Sequence, residues 1–398
     1  MFNSCNDLPL NDYMIVHNCN FNGNSAGGYG GAISSNGILI ADNNNFRGNF
    51  VGVNGYGGAI DIYSGSCGDT NDTFINNTAS CGSATFTSGV TTITCSKFIN
   101  NTAYNVGGVI ANDSLANLNI TQCDFSGNIA EYSNGGAINN IGILNVTGSS
   151  FELNHTNMGG AISNGGTVTI QFNSIVNNTD KSSISDVYSA SGSLNADNNW
   201  WGSNAGPAGK VYGTFINKWL VLNIITYPTK IYSGQNSTVI ADLWYDNGIL
   251  NDPNHPELYY HDPTIMHVPD GIIINYTTTM GTVISPLEIV NGSAQSNLNN
   301  LVTGIAYVTA TVDNQTVQSQ VIILPTALAN PIGGLYNTNQ NVTLNMNVPG
   351  TIYYTLDGSD PTTSSSIYVT PININISTVL KYLAVDLSDD QSPVYTEN

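Results

Sequence analysis

Apolar residues recur along the first half of the chain at a period too long for one strand and too regular for a loop. With Phe as the anchor, Phe21, Phe46, Phe74, Phe98, Phe125 and Phe151 follow one another at 24 to 28 residues, and Ile175 and then Trp200 take the next two places. Five residues before the anchor stands Ile93, Ile120, Val146 or Ile170, and seven before it Leu118, Leu144 or Val168. That spacing of two describes a strand with one buried face. Three residues after the anchor stands Asn24, Asn49, Asn77, Asn101, Asn128, Asn154 or Asn178. A second signature, Gly-Gly-Ala-Ile, occurs at 30–33, 57–60, 135–138 and 159–162, with variants at 107–110 and 81–84.

A repeat of this length cannot bury its apolar face alone, so it must stack on its neighbours. Each unit holds two or three short strands joined by tight turns, which predicts a parallel β-helix. Eight coils about 4.8 Å apart would make a rod roughly 40 Å long. The recurrent Asn suits a turn position of left-handed conformation. Its stacked amides would hydrogen-bond from coil to coil as a structural ladder.

After Pro207 the repeat stops. Alternating segments at 239–243, 272–278, 305–312 and 317–323, with Asp313-Asn314-Gln315 as a hairpin turn, predict a β-sandwich. The final segment contains GTIYYTLDGSDPTT, in which Asp357-Gly358 is turn chemistry.

Gly-Gly-Ala-Ile together with Phe-x-x-Asn resembles the repeat of polymorphic outer-membrane proteins and of adhesin-like surface proteins of methanogenic archaea. NNWWGSNAGP, at 198–207, is similar to the stretch with which the archaeal β-helices end. PDGIIINYTTTMGTV, at 269–283, resembles the invasin-type immunoglobulin-like domain, and the segment after 326 the C-terminal β domain of chitobiases. The expected fold class is therefore all-β: a right-handed parallel β-helix at 1–210, then two small β-sandwich domains at 211–325 and 326–398. The resemblance implies an extracellular, cell-surface protein, and the chitobiase-type domain accompanies catalytic domains without carrying their chemistry.

Composition narrows the partners. Only 9% of residues are charged, Arg47 is the sole Arg, and the formal net charge is −20. Phosphate-backbone binding relies on Lys and Arg, so nucleic acid and anionic membrane are not expected partners. Asn-x-Ser/Thr triplets such as 76–78 and 145–147 permit a glycosylated surface. The six Cys, at 5, 19, 67, 81, 95 and 123, include no Cys-x-x-Cys pair. A Cys67–Cys81 disulfide and buried free thiols both remain open. No apolar run reaches the ~18 residues of a membrane span. The start of the chain has no signal-peptide pattern, so an extracellular protein is expected to continue beyond this sequence or to have been processed.

Catalytic motifs are sparse. Asn178-Thr179-Asp180 matches one short motif of polygalacturonases, but that family's Asp-Asp, Gly-His-Gly and Arg-Ile-Lys elements are absent. A pectate lyase needs an Arg base, and Arg47 sits in a Phe-Arg-Gly-Asn turn. The glycine clusters lack the Lys-Ser/Thr of a phosphate loop, and no Gly-x-Ser-x-Gly elbow occurs. His255, His261 and His267, with Asp252, Glu257, Asp262 and Asp270, form the densest set of ligand-capable groups. Their interval of six fits no short metal motif, and metal binding there stays open. Tyr29, Tyr56, Tyr104 and Tyr132 fall in the variable turn before the glycines, where stacking would align them as an aromatic surface for a glycan. The expected function is a non-catalytic adhesin-like rod without a cofactor, binding glycans or other cell surfaces. The alternatives are a polysaccharide-degrading enzyme using rod carboxylates such as Asp61 and Asp113, or a purely structural envelope component.

Overall fold

The computed structural model describes residues 13–105, 107–181, 186–248, 259–299 and 302–398, and among them every regular element is a β-strand. The first coil sets the pattern. Tyr13–His17, Asn20–Asn22, Ser25–Ala26 and Ile33–Ser35 run along its four sides. Each pairs in parallel with its copy one coil on, as in Tyr13↔Ile38, Phe21↔Phe46, Ser25↔Phe50 and Ile33↔Ile60. Repetition builds four parallel sheets, two of eight strands and two of seven, which form a β-solenoid of about eight turns.

One Phe per coil fills the interior. From Phe21 to Phe151 the rings stack with centroids 4.7–4.8 Å apart and nearly parallel planes. That is the spacing of paired strands, so backbone pairing itself sets the ring stack. In the eighth coil the anchor is Trp201, not Trp200. Ser174 bridges Trp200, which places Trp201 opposite Ile175 inside the rod. The constant spacing slips by one residue there, and Trp200 points out of the solenoid instead.

The left-handed conformation also lies one residue earlier than the Asn spacing predicts. Gly23, Gly48, Asn76, Asn100, Gly127, Leu153 and Asn177 have φ between 52° and 64°, and each directly precedes a ladder Asn. A left-handed residue ends the Phe strand and turns the chain, which swings the following side chain inward. The ladder Asn needs no unusual backbone of its own.

Gly-Gly-Ala-Ile is explained by close approach. Gly57 has φ +66°, and a Cβ on Gly58 would lie 2.1 Å from the Ser83 carbonyl oxygen of the next coil.

Beyond the solenoid, Leu220–Tyr227, Asn236–Asp246, Tyr259–Tyr260 and Ser293–Asn299 form one sheet. Lys230–Tyr232, Ile273–Thr278, Leu287–Glu288, Gly304–Val312 and Gln315–Leu324 form a second, and both contribute to one core. That core also takes in Phe172, Val176 and Trp200 of the rod. Trp200 Nε1–H donates to Asp313 Oδ2 at 2.6 Å, and the Asn204 N–H donates to Gln315 Oε1 at 2.9 Å. The hairpin turn at 313–314 is thus docked on the last coil. Two smaller sheets after residue 326 surround a separate core that includes Leu344, Ile352 and Tyr382.

Candidate functional site

The Asn ladder is built into the rod. The Asn49 N–H and side-chain amide both donate to Asn77 Oδ1 at 2.9 Å, and the amide also donates to the Phe21 carbonyl. The same pair of donors links Asn24 to Asn49, Asn77 to Asn101, Asn101 to Asn128, Asn128 to Asn154 and Asn154 to Asn178. Asn178 ends the series by donating to Asp186 Oδ1 at 2.9 Å, and Lys210 Nζ lies 3.7 Å from the other carboxylate oxygen. From Asn49 to Asn178 these side chains are buried and tie each coil to the next.

Two further ladders escaped sequence reading. One runs two residues before the anchor through Asn44, Asp72, Ser96, Cys123, Ser149, Asn173 and Asn199. Its rungs change chemical type from coil to coil, so no single letter repeats. The other joins Asn112, Asn140 and Asn164, two residues after the Ile of the glycine motif, a signal that was present but short.

A concavity of about 340 Å³ opens on the outer face of the Gly-Gly-Ala-Ile sheet. Its floor is the outward column Phe86, Ala111 and Asn139, which the parallel register places one above another. Tyr29, Tyr56 and Cys81, from the turns that enter the sheet, form one wall. Tyr63, Ser88 and Asp113, from the turns that leave it, form the other. Tyr29 and Tyr56 stack at 5.8 Å with planes 12° apart, and Phe86 meets Tyr56 edge-on at 4.8 Å. Tyr29 keeps 51% of its surface exposed.

Of the two carboxylates named as the enzymatic alternative, Asp113 lines this space and Asp61 does not. Asp113 Oδ2 accepts from the Ser88 hydroxyl at 3.0 Å, and Oδ1 from the Ser114 N–H at 2.7 Å. Asp61 pairs with Phe86 from the preceding coil and is 1% exposed, with Oδ2 accepting from the Ser34 hydroxyl at 2.9 Å. Burial raises its carboxyl to about 6, against the opposing pull of Ser34. The Cys81 thiol is pushed up to about 12, by burial first and then by the charges of Asp113 and Asp61.

The other sequence candidates are placed elsewhere. Tyr104 directly follows the strand Thr102–Ala103, and Tyr132 lies in the strand Ile129–Asn134, with Lys181 Nζ 5.9 Å from its ring. Neither lines the concavity, because each stands three residues before its glycines and so stays on the preceding sheet. Cys67 and Cys81 form no disulfide and are buried free thiols. Cys67 is in the strand Ser66–Thr70, whereas Cys81 is in the turn before the fourth sheet, on another side of the coil.

His255, Asp252 and Glu257 lie outside the described residues. His261 Nε2 is 3.1 Å from Asp246 Oδ2, with its ring edge-on to Phe172 of the rod, while His267 Nδ1 contacts the Val268 carbonyl oxygen at 2.7 Å. The two are thus held by separate partners. Among the described residues, no three His, Cys, Asp or Glu side chains converge as a metal site. A larger groove of about 740 Å³ in the final domain, between 331–340 and 374–380, is bordered by the exposed Leu335 and Ile376 and also lined by Tyr336 and Glu397, whose Oε2 accepts from the Gly333 N–H at 2.6 Å.

Residues 331–396 match the chitobiase/beta-hexosaminidase C-terminal domain family. No curated protein matches in sequence. The adhesin InvE of Yersinia pseudotuberculosis is a similar solved structure at 14% identity and a TM-score of 0.21, over 44% of this chain and 58% of that one. A C-terminal 282-residue fragment of intimin, in complex with the intimin-binding domain of its translocated receptor, aligns at 16% identity and 0.24, over 44% and 62%. The D0-D1 domain of intimin aligns at 11% and 0.20, over 44% and 97%. The chain thus spans less than two thirds of the first two of these structures.

Proposed function

We propose that the protein is a non-catalytic, adhesin-like component of the cell surface, whose solenoid offers the Tyr29/Tyr56 concavity to a glycan. In this reading the segments 211–325 and 326–398 are spacers that carry the rod, and the chain works outside the cell. The observation that carries it is the stacked tyrosine pair, Tyr29 exposed and Tyr56 half-buried, beside the hydroxyl of Ser88 and the amide of Asn139. Sugar rings pack on aromatic faces while their hydroxyls take hydrogen bonds from such groups. The volume suits one or two sugar rings. The motif resemblance to adhesin-like surface proteins points the same way, as does a final domain of a non-catalytic type.

A second reading rests on Asp61 and Asp113, because a glycosidase uses two carboxyl groups, one of them with raised affinity for its proton as Asp61 has. The near-complete burial of Asp61 argues against it, since a proton held there does not reach a glycosidic oxygen. Affinity electrophoresis through gels containing soluble polysaccharides separates the two. Binding predicts retardation with no shortening of the polymer. Release of oligosaccharides would establish the enzymatic reading.

A further inference from the structure

We propose that the glycan taken by the rod is a neutral, linear polysaccharide, laid along the rod axis from the Tyr29/Tyr56 concavity to a second tyrosine pair, Tyr188 and Tyr212. The inference rests on the glycan reading and adds the class of chain. Parallel register makes the outer face of the Gly-Gly-Ala-Ile sheet one continuous column: Phe86 pairs with Ala111, Ala111 with Asn139, Asn139 with Ser163, Ser163 with Tyr188 and Tyr188 with Tyr212. Partners in register project to the same side of a sheet. The concavity takes in the first three of these residues, and the tyrosine pair stands at the far end of the same column.

The second pair is the independent observation. Tyr188 and Tyr212 stack with ring centroids 5.1 Å apart and planes 11° apart, close to the geometry of Tyr29 and Tyr56. At these separations the rings are offset, which leaves part of each face open to a sugar. The neighbouring Val187 and Val211 pack in the rod core, so strand alternation turns both tyrosines outward, where they fill no interior space. Tyr212 keeps 50% of its surface exposed. Between Phe86 and Tyr188 the column carries only Ala111, Asn139 and Ser163, so none of its side chains blocks the way between the two aromatic platforms, and the half-buried Asn139 offers its amide on the line that joins them.

Spacing and charge identify the occupant. Four steps of the column separate Phe86 from Tyr188, about 19 Å at ~4.8 Å per coil. An extended sugar chain advances by nearly the same length per unit, so about five units reach from one platform to the other. A chain held at two points gains affinity over a short one, because its second contact is intramolecular. Uronic acids would meet the Asp113 carboxylate with no cation beside it, since no Lys or Arg is among the described residues lining the concavity. At the other end Lys210 is engaged with the rod itself, donating to the Trp201 carbonyl at 2.6 Å and standing 3.7 Å from Asp186.

The test is titration calorimetry on the full chain with di-, tetra- and hexasaccharides of the cellulose, mannan, xylan and galacturonan series, repeated on Tyr188→Ala/Tyr212→Ala. In the best-bound neutral series the hexasaccharide is expected to bind at least about tenfold more tightly than the disaccharide. The variant is expected to lose most of that gain while keeping its circular dichroism. If the double variant does not fold, Tyr212→Ala, at the exposed end of the column, carries the same comparison. A hexasaccharide bound no more tightly than the disaccharide overturns the polymer inference and leaves the glycan reading standing. A gain undiminished in the variants overturns the role of the second pair, and tighter binding of the galacturonan series than of every neutral one overturns the neutral charge. No binding of any oligomer overturns both readings.

Discussion

Asn101 and Asn128 sit at mid-rod with no exposed surface, and each joins three coils through one amide. Asn101→Ala or Asn128→Ala strands the backbone N–H of the preceding coil and a Phe carbonyl, so either is expected to destabilise by about 1 to 3 kcal/mol in urea unfolding. Unchanged unfolding would mean that the ladder bonds do not form in solution. Buried carboxyls give a second residue-scale expectation. Asp61, Asp72, Asp186 and Asp242 are each raised to about 6, chiefly by burial, and Asp69 well above its ordinary value by burial and by the charge of Asp72. The folded state therefore holds protons that the unfolded chain releases above its ordinary carboxylate range, so stability falls as pH rises from about 4 through 6. Asp69, raised in the same direction, adds to that fall. Asp246 runs the other way, since His261 and the Gly248 N–H hold its proton affinity down despite burial, and its contribution is lost in stronger acid. Melting followed by circular dichroism is expected to give a higher Tm at pH 5 than at pH 7.5. Asp69→Asn should weaken this dependence without loss of stability at pH 7.5, and a Tm that climbs with pH in the parent would contradict the burial of these groups.

At the scale of the element, the glycine motif and the turn ahead of each ladder Asn place different demands on the chain. Gly136 needs space, because a Cβ there would lie 2.2 Å from the Gly160 carbonyl oxygen of the next coil. Gly48 needs only conformation, with φ +60° and nothing within 4 Å of an added Cβ. Gly136→Ala is expected to cost more than about 4 kcal/mol or prevent folding, and Gly48→Ala about 1 to 2 kcal/mol. Similar losses at both sites in parallel denaturation curves would refute the close coil-to-coil contact. This contrast also shows what the sequence could reveal. Phe, Ile and Gly at fixed offsets made the solenoid legible because stacking demands the same shape at each level. The left-handed site was not legible, because Gly, Asn and even Leu153 occupy it in turn. The slip from Trp200 to Trp201 was hidden by two adjacent identical letters, of which only packing decides the inner one.

The whole molecule is a solenoid whose last coils share a core with the domain that follows. Phe172 is held at φ 57°, a conformation rare for an aromatic residue, and it meets His261 from the neighbouring domain, next to the docked Trp200. Trp200→Ala should remove the anchor, at about 3 to 5 kcal/mol, and split thermal unfolding in calorimetry into separate transitions for rod and sandwich. A single unsplit transition would show that Trp200 does not couple them. The candidate site was half legible. Tyr29 and Tyr56 could be named from their position before the glycines, but Phe86, Asp113 and Cys81 join them only through coil stacking, at 25 to 28 residues' remove between neighbouring levels of the rod. Tyr104 and Tyr132, similar in sequence context, end on another side. They supply the control for the most direct measurement of the central claim: a glycan array probed with the parent, with Tyr29→Ala/Tyr56→Ala and with Tyr104→Ala/Tyr132→Ala, all checked for folding by circular dichroism. The account predicts that the parent and the Tyr104/Tyr132 variant bind the same glycans while the Tyr29/Tyr56 variant loses them. Equal binding by all three, or no glycan bound by the parent, would contradict it.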